Sequence, residues 1–147
     1  MSVSIDQATT PSYFALGFEP MDSIHREFEG LLASLHQPGD EGEKLLALHQ
    51  HLLRHCSLEE RWMGQTNFPG TVGHTREHEV LLEVVAEVRR RFDAGDTDIV
   101  GRLAHELPRW FETHASEMDA GLASHLQASS LDFSDPAQHT IRETEIA

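Results

Sequence analysis

His74 and His78 stand four residues apart inside an amphipathic run that extends over residues 72–92. Four residues on an α-helix advance about 400°, so the two imidazoles leave one face about 40° apart. At that spacing both rings can bind a single metal ion. One such pair means little in a chain with eleven histidines. His55 and Glu59 repeat the spacing upstream and put an imidazole and a carboxylate on one face; alone, such a pair is an ordinary surface contact. His25 sits beside Ile24 and Phe28, where a lone histidine is more often a satisfied core group. His114 is followed by Glu117 and Asp119, and both are candidate ligands. Each group falls on a different predicted helix, so one level of a helical bundle could gather them all. Buried without ions, so many imidazoles and carboxylates would be very costly. The residues therefore point to four helices around a two-metal site.

The elements that must position these groups follow from apolar spacing. Glu19-Pro20 opens a helix with proline in its first turn, and Met21, Ile24, Phe28, Leu31, Leu32 and Leu35 continue it with a helical period. Gln37-Pro38-Gly39-Asp40 stops it. A second helix spans about 41–63, with Leu45, Leu48, Leu52 and Trp62, before Asn67-Phe68-Pro69-Gly70. The third, about 72–92, offers Val80, Leu81, Val84, Val85 and Val88 as its buried side. After Ala94-Gly95, Asp96 or Thr97 caps a fourth that runs to about 127, with a kink expected from Pro108. No stretch reads as a strand. The expected fold is all-α, an antiparallel up-down-up-down four-helix bundle in one domain over 1–147. Residues 1–18 form an extended arm whose Tyr13, Phe14, Leu16 and Phe18 pack back on the bundle, 19–127 are the bundle, and 128–147 are a polar tail with a short helical turn.

Composition narrows the function. Eleven basic residues against twenty-five acidic ones give a net charge of -14, which excludes nucleic acid and an anionic membrane surface as partners. The one cysteine, Cys56, allows neither an intrachain disulfide nor a zinc ribbon. The N-terminus lacks a signal-peptide pattern and no apolar run approaches a membrane span, so a cytoplasmic location is expected. Two other metal patterns fail. No histidine has glutamate three residues before it, and His78-Glu79 is followed by Leu82 where a zinc protease needs histidine.

Four segments, Met21 to Phe28, His55 to Glu60, His74 to His78 and Trp110 to Asp119, resemble the hemerythrins, non-haem di-iron proteins built as four-helix bundles. Order and spacing agree across about residues 18–127. The resemblance implies that His74, His78 and His114 bind one iron and that His25 and His55 bind the other. Glu59 and Asp119 would bridge the two ions with a solvent-derived oxo or hydroxo group. It implies reversible dioxygen binding at the iron with fewer ligands, for storage, delivery or sensing. A di-iron redox enzyme acting on peroxide or nitric oxide, and an oxygen- or iron-responsive signalling module, are the alternatives. His114 to Asp119 is five residues, about 500°, which a regular helix would splay some 140° apart. A π-type bulge between them is therefore expected, with Glu117 as the competing ligand if the helix stays regular.

Two positions depart from the family pattern. Cys56 stands where phenylalanine is common, and Ala115 where a bulky aliphatic is common. Either the smaller side chains open the oxygen pocket, or Phe28, Trp110, Phe111 or Trp62 refills it. His36, His49, His51, His105, His125 and His139 are read as surface groups, with His51 near the site only through lying one turn from His55, and Glu60 as flanking or solvated.

Overall fold

The computed structural model describes residues 15–146; Tyr13 and Phe14 of the expected arm lie outside them. Helices α1 (Glu19–Ser34), α2 (Glu41–Gln65), α3 (Thr71–Asp93) and α4 (Asp98–His114) are followed by a π-helical segment, Ala115–Asp119, and by α5 (Ala120–Ala128). Each helix packs on its neighbours in the chain and α4 closes on α1, forming a four-helix bundle with no strand among the described residues. Pro20 occupies the first turn of α1, where its missing N–H costs nothing. Gly95, at φ 106°, makes the turn between α3 and α4 that a side chain would strain. Thr97 is the N-cap residue of α4, without a side-chain capping bond. That helix runs through Pro108 unbroken, and the change in winding comes later, at Ala115–Asp119.

The buried stripe of α3 differs from the expected one. His74, His78, Leu81, Val85 and Val88 are buried, whereas Val80 and Val84 are about half exposed. The inward histidines fix the helix's rotation, and a residue one position off the stripe is turned about 100° away from it.

Apolar residues form two clusters rather than one. Phe28, Leu52, Cys56, Leu81, Phe111 and Ala115 belong to the larger; Met21, Leu58, Trp62, Met63, Leu122 and Leu126 to the smaller. Along α1 and α2, and along α4 with its continuation, the sequence passes from one cluster to the other through the candidate ligands. A polar layer thus lies between two apolar ones.

The described residues flanking the bundle are tied down on both sides. Leu16 and Gly17 donate their backbone N–H groups to the Asp22 carboxylate at 2.7 and 3.0 Å. Leu16 and Phe18 pack on the smaller cluster. The tail contains two 3-10 turns, Pro136–His139 and Glu143–Glu145, and lies along α2.

Candidate metal centre

All seven expected ligands are brought together and buried: His25, His55, Glu59, His74, His78, His114 and Asp119 are each no more than 4 % exposed. The i, i+4 spacing delivers His55 with Glu59 on α2 and His74 with His78 on α3. The π segment delivers Asp119. Its backbone bonds skip five residues, as in Ala120 N–H to the Ala115 carbonyl, so a residue five positions on returns to the face that His114 occupies. Asp119 is wholly buried, and Glu117, the competing candidate, is exposed.

The two carboxylates divide the histidines into two groups. Glu59 Oε2 lies 2.8 Å from His55 Nε2 and 3.7 Å from His25 Nε2, while its Oε1 is 3.2 Å from both His74 Nε2 and His78 Nε2. Asp119 repeats the pattern, with Oδ2 3.2 Å from His25 Nε2 and Oδ1 3.0 and 3.1 Å from His74 Nε2 and His114 Nε2. Each acid therefore offers one oxygen to a two-histidine set and one to a three-histidine set.

This donor set fits metal ions. Glu59 Oε1, Asp119 Oδ1 and both nitrogens of His74 are buried without an aligned hydrogen bond, although histidine nitrogens and carboxylate oxygens lie only 3.0–3.2 Å apart. Buried polar atoms are ordinarily paired. Nitrogen and oxygen lone pairs converging without donating to one another are what shared cations require.

The electrostatics agree. Burial lowers the His25 imidazole, but Asp119 and Glu59 overcome it and raise the group to about 10. The same balance, with the same two acids, lifts His74 to about 9. Burial also opposes His78, which Cys56, Glu59 and Glu60 nevertheless hold well above its usual range. The Glu59 and Asp119 carboxylates, despite burial, are held low by the histidines around them. His55 moves the other way because burial dominates. Without ions, the layer is neutral enough to bury only by holding protons between its acids and bases.

Outer nitrogens are held by a second set of side chains. His78 Nδ1 meets Glu60 at 2.9 Å, His114 Nδ1 meets Glu77 at 2.8 Å, and His55 Nδ1 meets His51 Nε2 at 3.2 Å. His51 is in turn 2.8 Å from Glu27. Such partners fix ring orientation and raise ligand basicity. His51 is not a surface group as expected: it is 3 % exposed, because it continues the α2 stripe one turn before His55. That i, i+4 relation was the available sequence signal. Glu77, lying between two candidate ligands on α3, gave none of its own.

Residues 16–126 match the sequence model described as Hemerythrin HHE cation binding domain. The chain belongs to the hemerythrin family. It is 32 % identical over 119 residues to a bacteriohemerythrin of Stenotrophomonas maltophilia, covering 77 % of each chain. A bacteriohemerythrin of Ralstonia nicotianae is also 32 % identical, over 124 residues, 83 % of this chain and 90 % of its own. One from Methylococcus capsulatus is 23 % identical over 104 residues, 67 % of this chain and 79 % of its own. A cation-binding hemerythrin domain with a clustered histidine and carboxylate set is therefore the established description. Among the described residues, no helix is long and apolar enough to cross a membrane.

In this hemerythrin domain Cys56 and Ala115 are buried in one apolar cluster with Phe28 and Phe111. Phe28 and Phe111 are buried with ring centroids 4.5 Å apart, Phe111 sets its edge 5.1 Å from His25, and Trp110 stacks on His114 at 4.8 Å. Ala115 has no exposed surface. Ala115→Ile is thus expected to overpack the core and lower unfolding free energy by about 1–3 kcal/mol. Denaturant titration checks this, and an unchanged midpoint would mean that the site is open after all.

Proposed function

We propose that the chain is a di-iron protein that binds dioxygen reversibly, with His74, His78 and His114 on one iron, His25 and His55 on the other, and Glu59 and Asp119 bridging. The supporting observation is the unequal division: both acids face both histidine sets, yet one set has three rings and the other two. Five protein donors surround one position and four the other, so the two-histidine side keeps more room for an external ligand. Imidazole and carboxylate donors suit iron. The Cys56 thiol is raised by burial and stays protonated, which removes it as a competing thiolate ligand. When bound, a ferrous pair with its oxo or hydroxo bridge supplies the two electrons that dioxygen accepts.

The chain's own residues restrain further chemistry. Phe28 and Phe111 lie against the His25 and His55 rings and make one flank of the two-histidine side apolar. The two phenyl rings offer no proton donor, which favours carriage over turnover of peroxide or nitric oxide; the polar contact on this side comes from His51, at the outer nitrogen of His55. The test is optical. Reduced, iron-loaded protein exposed to dioxygen should develop a charge-transfer band that disappears on degassing and returns with oxygen. Prompt, irreversible oxidation would support the redox enzyme instead.

A further inference from the structure

We propose that metal ions enter and leave the centre through the cavity between α1, α2 and the C-terminal tail, with Glu27 and His51 as steps and residues 139–141 as a lid. The cargo rests on the di-iron reading above; the route rests on separate observations. A divalent cation crosses a protein interior only where oxygen or nitrogen donors replace its water. Above and below the polar layer lie apolar clusters, so passage must come between helices.

A cavity of about 240 Å³ lies there, walled on the bundle side by Glu27, His51 and His55 together with Ile24, Arg54 and Leu58. Four other sizeable cavities among the described residues touch none of the seven candidate ligands. Donors beside the first form an unbroken ladder. Glu27, 59 % exposed, reaches His51 at 2.8 Å; His51 reaches His55 at 3.2 Å; His55 reaches Glu59 at 2.8 Å. Glu60 and Glu77 also touch candidate ligands from outside, but neither lines any of these five cavities. The net charge of -14 favours cations around the chain as a whole, and at the entrance itself Glu27 is paired with Arg54 at 3.8 Å.

The outer wall is His139, Thr140 and Ile141. This segment is anchored on both sides. Before it, Arg61 donates to the Ala137 carbonyl at 2.6 Å and Trp62 Nε1 donates to the Gln138 carbonyl at 2.9 Å. After it, Arg61 meets Glu145 at 3.3 Å. Phe133 adds edge contacts to Trp62 at 5.3 Å and to Phe18 at 5.0 Å. Between the anchors, Thr140 and Ile141 make no hydrogen bond to the bundle among the described residues. A stretch fixed at its ends and unbonded in its middle opens locally without unfolding the rest. It also lies beyond the family-matched residues 16–126.

Stopped-flow loading of the stripped protein with cobalt(II), and removal by EDTA, test the route. A chain ending at Ser130 should speed both uptake and loss about tenfold while equilibrium affinity stays within about threefold, the signature of a lowered barrier. Because that truncation also uncovers Trp62, Ile141→Gly serves as the second variant; it keeps every anchor and should speed both steps in the same direction. His51→Leu should slow uptake, whereas a histidine that only orients His55 would leave uptake unchanged and speed loss. Uptake rates equal to wild type in all three variants overturn the port and leave the di-iron reading standing. A wild-type chain that takes up neither cobalt(II) nor iron(II) overturns both.

Discussion

On the di-iron proposal, Glu59→Gln is expected to leave the bundle folded and to cut the bound iron from two ions per chain to one or fewer. Glutamine keeps the shape of Glu59 but has one acceptor oxygen and no charge. In the native chain, Oε2 faces His55 and Oε1 faces His74 and His78, so whichever way the amide turns, one histidine set meets an NH₂ group. Two cations held close together also lose half of the bridging negative charge, in a layer where Glu59 has no contact with solvent. Changing a residue that only orients a ligand typically costs 10–100-fold in metal affinity, so loss of a bridging ligand should exceed about 100-fold. Iron per chain after gel filtration measures it, with far-ultraviolet circular dichroism as the control for folding. Asp119→Asn should behave alike, and Glu117→Gln, on an exposed side chain, should change nothing. Two irons retained in Glu59→Gln would remove Glu59 from the centre.

The second large effect is a dependence on pH that reverses when metal is removed. In the stripped protein His25 is raised from 6.5 to about 10 and His74 from 6.5 to about 9. A raised base contributes stability that is fully present below its unfolded value, near 6.5, and is lost as pH climbs through the folded value. Stripped protein should therefore weaken between about pH 7 and 10. For His74 alone the loss is about 3 kcal/mol at most, at 1.36 kcal/mol per tenfold change in proton affinity. That is roughly 10 °C in melting temperature for a domain of this size. Iron-loaded protein has no such protons to lose, and its histidines must be neutral to bind, so the loaded form should hold through that range and fail on the acid side. There the depressed Glu59 and Asp119 carboxylates, whose contribution is present above about pH 4, lose it as pH falls through their folded values. Loading at pH 7 should also release protons, measurable in weak buffer. Parallel melting curves for the stripped and loaded forms from pH 7 to 10 would contradict the assignment of these groups.

Much of the centre was legible in the chain because it obeys the period of single helices. Four-residue spacing on α2 and α3 is enough to align His55 with Glu59 and His74 with His78. The five-residue interval from His114 to Asp119 even announces its own irregularity, since only a widened turn lets both face inward. Such features depend on one helix's geometry and on nothing else. The helix limits follow similarly from proline, glycine and apolar spacing.

Tertiary structure alone decided the rest. Which of Val80, Leu81, Val84 and Val85 turn inward depends on how α3 is rotated about its axis, and the buried histidines, not the valines, set that rotation. Pairs such as Glu27 with His51, Glu60 with His78 and Glu77 with His114 join different helices, so axial offset and rotation between neighbours determine them. That Cys56 and Ala115 share a buried cluster with Phe28 and Phe111 is likewise a matter of packing across helices. The tail's seat on Arg61 and Trp62 comes from contacts 76 to 84 residues apart in the chain, which no local period encodes. Spacing along a rod specifies what it can present; only the assembled rods specify what each presented group meets.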